Sequence, residues 1–278
     1  MEKIEKLKKI FYREGIDGYI IPKNDDYFGE YVPNHNDRLN FISGFTGSFG
    51  FALILKNKNY LFVDGRYTLQ AQKQSGKSFK IIKIPETMPK NILKEKKISI
   101  GFDPSLFTEK TLTIFFKKKG CKLKPIVNNL IDEIWIRKKS INRVKFYLMP
   151  NKSVSGNHHS KLTKVSNYLK EKKSDFLFIT ASENNAWLLN IRGRDTKYTP
   201  IPYSLILIDK NKNIKFFCDL KKISSSIRRK FKMIKFFELK ECSKALLEIK
   251  NKKFIIDFNS CSYFFKNIIN ENNKILKL

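Results

Sequence analysis

The sequence predicts an α/β protein built as two related domains in tandem. Three observations carry this. Apolar runs of strand length alternate with stretches of helical spacing, the pattern of α/β domains. The order of elements in the first half returns in the second at a near-constant offset. The chain has 278 residues, about twice a typical domain of roughly 150. Hydrophobic residues make up 41% and aromatics 13%, enough for real cores, which excludes a disordered chain.

The first half reads as follows. Ile4, Leu7, Ile10 and Phe11 are separated by charges, so residues 3–14 form an amphipathic helix, not a secretory leader. Gly15 ends it, and Gly18–Pro22 is a short apolar strand. Residues 23–37 are a polar loop with Asp25, Asp26, Pro33 and His35, and Phe41–Gly50 is a glycine-dense turn region. Phe51–Leu55 and Tyr60–Val63, joined by the polar Lys56–Asn59, signal a β-hairpin. Asp64-Gly65-Arg66-Tyr67 closes the second strand and opens a helix to about Ser75. Strands are expected over 79–84, 98–102 and 122–127, with helices near 88–96 and 108–119.

The second half repeats this order. A helix over 153–172, with Val154, Leu162, Val165 and Leu169 on one face, leads to a strand at 175–180. Ala186–Gly193 stands where LNFISGF stood. Strands Ser204–Asp209 and Ile214–Asp219 turn on Lys-Asn-Lys-Asn at 210–213, as the first hairpin turned on residues 56–59. Asp17 and Asp175, Lys56 and Lys210, and Asp64 and Asp219 are offset by 158, 154 and 155 residues. The junction near 138–152 has linker composition, giving domains of residues 1–138 and 139–278.

The formal charge is +30, from 56 basic and 26 acidic residues, a balance that first points to nucleic acid. Its composition and position argue against that. There are 47 lysines and nine arginines, and arginine is the better reader of bases and phosphates. Residues 1–70 carry a net charge of only +1, and the rest is spread out. Basic runs, Lys117–Lys119 and Arg137–Lys139 among them, are no longer than three residues, and no basic tail is present. Abundant Lys, Asn, Ile and Phe match the drift of an AT-rich genome. A stand-alone module for an anionic partner is kept as the alternative.

Cys121, Cys218, Cys242 and Cys261 show no C-x-x-C or metal spacing, as expected of buried or free thiols in a reducing cytoplasm. Apolar stretches such as Phe49–Leu55 are too short to span a bilayer.

No H-E-x-x-H or P-loop motif is present. Gly44-x-x-Gly47-x-x-Gly50 lacks the G-x-G of a dinucleotide fingerprint. These glycines are expected to serve positive φ or close packing. His158 and His159 are adjacent on a predicted helix and are expected on different faces, as solvent or core histidines rather than a metal pair. Arg38 follows Asp37, and Asp64 and Arg66 sit at a strand's carboxyl edge, where α/β sheets place sites. Arg192, Arg194 and Asp195 form a second charged turn after AWLLNI. Each group suits an ion pair holding a loop, or a clamp on a substrate carboxylate or carbonyl. Glu183 is a helix-start acid. Nothing assembles a nucleophile, base and orienter, Ser48 near His35 and Asp37 included.

Several segments carry a resemblance. They are Asp17–Pro22, Glu30–Pro33, Arg38–Gly50, Val63–Tyr67, Ile100–Pro104 and Asn129–Trp135, then Ala186–Asp195 with Tyr198–Pro200. In this order they resemble the amino-terminal and middle domains of aminopeptidase P (Xaa-Pro aminopeptidase) of the creatinase/prolidase superfamily. The resemblance implies two copies of a mixed sheet flanked by helices. It implies association with removal of an amino-terminal residue that precedes proline. In that family a third, metal-binding domain does the chemistry with two divalent ions, usually manganese, held by two Asp, one His and two Glu.

The sequence stops at Leu278, where the middle domain of the family ends, and Trp135-Ile-Arg137-Lys-Lys replaces the family's acid-basic-proline stretch. The resemblance therefore implies a non-catalytic, truncated or split portion with no catalytic residue, metal ligand or cofactor of its own. It would cap the cleft of a separately encoded catalytic domain, and meet peptide only there. Arg38, Asp64 and Arg66 are the candidates to face that cleft. Gly44, Gly47, Gly50, Arg192, Gly193 and Asp195 are structural motif positions. Self-association through an uncovered apolar face is expected; membrane and nucleic-acid partners are not.

Overall fold

The computed structural model describes residues 2–93, 97–116, 120–137 and 144–276. The run Lys117–Lys119 and the junction residues 138–143 lie outside them, as do the ends of two expected helices. The chain divides into two compact units, Met1–Asp26 with Val32–Ser140, and Tyr27–Tyr31 with Ile141–Leu278.

In the first unit, α1 (Glu2–Glu14) precedes β1 (Gly18–Pro22) and a short α2 (Arg38–Ser43). The hairpin β2 (Gly50–Leu55) and β3 (Asn59–Asp64) leads through one 3-10 turn, Gly65–Tyr67, into α3 (Thr68–Ser75). There follow β4 (Lys80–Ile84), α4 (Pro89–Ile92), β5 (Ile98–Phe102), α5 (Glu109–Phe116), β6 (Cys121–Pro125) and α6 (Leu130–Ile134). The sheet order is β4-β3-β2-β1-β5-β6. β1, β2 and β3 pair antiparallel, and β4, β5 and β6 join β3, β1 and β5 in parallel.

Both faces of this sheet are covered, so its strands are apolar on both sides. Tyr19, Ile21, Ala52, Ile54, Leu61 and Val63 share one core with Ile4, Leu7 and Phe11 of α1. On the alternate positions Phe51 stacks on Phe62 and, at 4.3 Å, on Phe115 of α5.

The second unit has β7 (Tyr147–Leu148), a 3-10 turn at Asn151–Ser153, α7 (His158–Glu171), β8 (Phe176–Ile179), α8 (Ser182–Leu189) and β9 (Ile191–Arg192). Next come β10 (Leu205–Asp209), β11 (Ile214–Cys218), a 3-10 turn at Leu220–Lys222, α9 (Ser225–Lys230) and β12 (Ile234–Glu238). A 3-10 turn at Leu239–Glu241, α10 (Cys242–Leu247), β13 (Lys253–Ile256), α11 (Tyr263–Asn272) and β14 (Lys274–Ile275) complete it. The sheet order is β12-β11-β10-β8-β13-β14, with the same succession of antiparallel and parallel pairs as the first. β7 and β9 form a separate antiparallel pair. Along β10, Ile206 and Ile208 pack with α7, α8 and α9, while Leu205 and Leu207 pack with α10 and α11.

The repeat extends to single hydrogen bonds. Asp17, just before β1, accepts from Lys56 Nζ at 2.6 Å and from the Ser99 amide at 2.9 Å. Asp175, just before β8, accepts from Lys210 Nζ and the Lys253 amide, both at 3.0 Å. Each aspartate thus pins its hairpin turn to the start of the next parallel strand. Both carboxyls are held below the usual range. For Asp17 the bond from Lys56 dominates. For Asp175 burial opposes, and the bonds from Lys253 and Lys210 outweigh it.

Two local expectations need correction. The segment expected as a turn region begins inside a helix: Asp37 Oδ1 accepts from the Asn40 amide at 3.0 Å to cap α2, which ends at Gly44 with φ 77°. The helix expected from 153 starts at His158, because Gly156 has φ 88° and Asn157 caps the Ser160 amide at 2.8 Å. Val154 is therefore not on it. The expected difference between the two histidines holds: His158 is buried edge-on against Phe231 and His159 is exposed, with their rings 4.0 Å apart.

Candidate functional site

The elements that end at the carboxyl edge of the first sheet place most of the singled-out residues. Asp37 and Arg38 do not pair with each other. Asp37 is paired with Lys23. Arg38 reaches across to α6 and donates through Nε and Nη2 to the two oxygens of Asp132, each at 2.8 Å. This is the two-pronged geometry that guanidinium and carboxylate favour. Arg137 also pairs with Asp132 and donates to the His35 carbonyl at 3.2 Å. The Arg38 side chain is only 8% exposed, and its Nη1 has no hydrogen-bond partner among the described residues.

Arg38 and Asp132 line a recess of about 380 Å³ together with Asp26, Asp103, Ser105 and Asn129. Asp103 follows β5 and is buried; it accepts from the Ser105 amide and from Asn129 Nδ2, both at 2.8 Å. Burial raises its pKa to about 6, against those two bonds. The recess is therefore more acidic than basic, with one carboxyl close to titration near neutral pH.

Asp64 and Arg66 do not line this recess. Asp64 ends β3 and accepts from the Arg66 amide at 2.9 Å, capping the 3-10 turn, and from Arg66 Nη2 at 2.7 Å. The Arg66 side chain is 76% exposed. Next to it, Ser48 Oγ and the Tyr67 hydroxyl are 2.7 Å apart, and Phe49 and Leu69 are exposed. The glycine run supports this surface from below. Gly44 supplies the left-handed cap of α2. A Cβ on Gly47 would lie 2.2 Å from the fully buried Phe45 ring, and one on Gly50 2.8 Å from the Phe62 carbonyl.

In the second unit the charged turn is tied inward. Arg192 Nη1 donates to the carbonyls of Ala186 (2.7 Å) and Ile191 (3.0 Å). Asp195 accepts from the Tyr203 amide at 2.7 Å and pairs with Lys222. Gly193 sits so close to Pro202 that a Cβ would be 2.8 Å from its Cα. Glu183 is in the first turn of α8. Among the described residues, no group of three His, Cys, Asp or Glu side chains is placed to hold a metal ion, and no helix is long and apolar enough to cross a membrane. The four cysteines are free thiols.

Asp132, the partner of Arg38, and Asp103, which shares its recess, were not singled out by sequence. They lie 94 and 65 residues away, and only the parallel strand β5 and helix α6 bring them in.

Profiles of the creatinase/prolidase N-terminal domain match residues 3–134 and, separately, residues 137–278. The chain belongs to the creatinase/prolidase N-terminal domain family. Among curated relatives, a probable Xaa-Pro aminopeptidase P of Laccaria bicolor is 32% identical over 220 residues, which is 75% of this chain and 34% of that protein. A Xaa-Pro aminopeptidase of Caenorhabditis elegans is 30% identical over 252 residues, 83% of this chain and 40% of that one. The chain thus spans roughly a third of the length of such relatives. Among solved structures, a Caenorhabditis elegans X-prolyl aminopeptidase is similar with a TM-score of 0.90 and 26% identity, over 99% of this chain and 49% of that one. It is described as a cytosolic enzyme with a di-nuclear active site.

Proposed function

We propose that this chain supplies the two non-catalytic domains of a Xaa-Pro aminopeptidase, bordering the cleft of a metal-binding domain that performs the hydrolysis. The observation that carries the reading is the tandem match of both halves to one domain family, in a chain whose relatives carry that enzyme's name. The two divalent ions belong to the metal-binding domain in this reading. A cytosolic setting is part of it, supported by the description of the Caenorhabditis elegans enzyme.

Within the proposal the residues divide by role. Arg66 is exposed and oriented by Asp64, so its remaining N–H donors are available to a peptide carbonyl or carboxylate. Arg38 is committed to Asp132 and holds α2 and α6 in place behind that surface.

Complementation tests this. The two domains are joined ahead of the metal-binding domain of the Caenorhabditis elegans relative and assayed with manganese on a Xaa-Pro peptide. The expected result is activity above the isolated metal-binding domain, with Arg66→Ala raising KM more than it lowers kcat. A folded, metal-loaded chimera no better than the isolated domain would overturn the reading.

A further inference from the structure

The topology of the second unit brings Lys274 beside the lysines of the segment 250–253. β8, β11, β12, β13 and β14 run parallel to one another, so all five begin at one end of the sheet. At that end a groove of about 680 Å³ lies between the turn that precedes β13 and the turn that joins α11 to β14. It is lined by Lys250, Lys252, Lys253 and Lys274, with four asparagines and Glu271.

The walls are fixed to each other. The Asn251 amide donates to the Asn272 carbonyl at 2.8 Å, and the Lys274 amide to the Lys252 carbonyl at 2.9 Å. Asn273 accepts from the Lys252 amide at 3.0 Å and donates to the Ile249 carbonyl at 2.8 Å. The lysine side chains are not fixed. All four residues are exposed, and among the described residues none of their ammonium groups hydrogen-bonds or forms an ion pair. Lys252 helps hold Asp175 ionised, but Asp175 already has Lys210. Four like charges around one rigid groove repel one another, and a bound polyanion relieves that repulsion.

We propose that this groove binds the phosphate backbone of a nucleic-acid duplex without reading its bases. The lining decides the class. Lysine is a point-charge binder of phosphate, whereas base readout favours the arginine fork. Among the described residues, no aromatic side chain lines the groove, so stacked single strands have no platform. Nor, among the described residues, does an apolar side chain line it, so a membrane surface has nothing to take up. Lys212 in the β10–β11 turn and Lys173 after α7 are also exposed at this end of the sheet, whereas Lys210 and Lys172 there are paired with Asp175 and Glu171. This inference is independent of the aminopeptidase reading.

The test is fluorescence anisotropy of a labelled 20-base-pair DNA duplex with the full chain, from low to physiological salt. The triple variant Lys250→Gln/Lys252→Gln/Lys274→Gln is compared with Lys221→Gln/Lys240→Gln/Lys244→Gln, which removes the same charge from exposed positions at the other end of the sheet. The wild type is expected to bind with steep salt dependence. The groove variant should lose about tenfold or more in affinity at low salt, and its salt slope should flatten by about 2 to 3; the control variant should lose less than about threefold. Absence of duplex binding, equal losses in the two variants, or binding to anionic vesicles in place of the duplex would each overturn the proposal.

Discussion

At the scale of single residues, the Arg38–Asp132 pair makes the sharpest demand. The guanidinium is almost wholly buried, and its stability depends on a carboxylate that reaches it from α6. Removing the carboxylate leaves an uncompensated buried charge, which costs about 3 kcal/mol. Removing the charge and keeping the volume costs less. Asp132→Asn should therefore lower the urea midpoint more than Arg38→Met does. Two titrating groups act in opposite directions. Burial, with the charge of His159 next, lowers His158 from 6.5 to about 4. Between those values the unfolded chain takes up a proton that the folded chain does not, so folding weakens as the pH falls. Burial raises Asp103 from 3.8 to about 6. There the folded chain holds the proton more tightly, so acid favours folding, and this contribution is lost as the pH rises through about 6. Melting temperatures between pH 7 and 4 should fall more steeply for Asp103→Asn and less steeply for His158→Gln than for the parent. The sequence made Arg38 visible as a charged residue before an apolar segment. It did not show the partner, because pairing across 94 residues leaves no local trace.

At the scale of elements, legibility followed length and neighbours. Strands β1 and β5 have the bounds expected of them, Gly18–Pro22 and Ile98–Phe102, since short apolar runs between helices and polar turns have few other fates. The hairpin β2–β3 was legible from its polar turn. Helix α2 was missed. Six residues are too few for a 3.6-residue period to register, and its evidence is the cap at each end, Asp37 and Gly44. Its counterpart α8 ends on Asn190, also left-handed at φ 54°. Asn190 there binds Lys161 Nζ at 2.7 Å. A Cβ at Gly44 would meet only the Gln74 carbonyl at 3.5 Å, so any cost of substitution is backbone strain. Gly44→Ala should cost about 1–2 kcal/mol in chemical denaturation, and Gly44→Asn less, because asparagine tolerates this conformation. Asn190→Gly should destabilise despite the freer backbone, through the bond lost from Lys161.

At the scale of the whole molecule, the duplicated order read from the sequence is a duplicated topology, down to Asp17 and Asp175 and their matching partners. The two aspartates do the same work, so Asp17→Asn and Asp175→Asn should cost similar amounts, about 1 kcal/mol each by denaturation. A large inequality would mean that the resemblance of the halves is one of path only. The charge was legible as a total; that Lys274 stands beside Lys250, Lys252 and Lys253 at one end of a sheet was not, because the pairing of β13 with β14 makes that cluster. The family was legible because its motifs are segments, such as Val63–Tyr67 and Ala186–Asp195. The central claim, that these domains border a catalytic cleft and do not form one, is tested most directly by a peptide assay. The purified chain is incubated with manganese and a Gly-Pro-type peptide, and release of the amino-terminal residue is followed. No release above the metal-only blank is expected; turnover that rises with chain and manganese and is abolished by a chelator would overturn that claim.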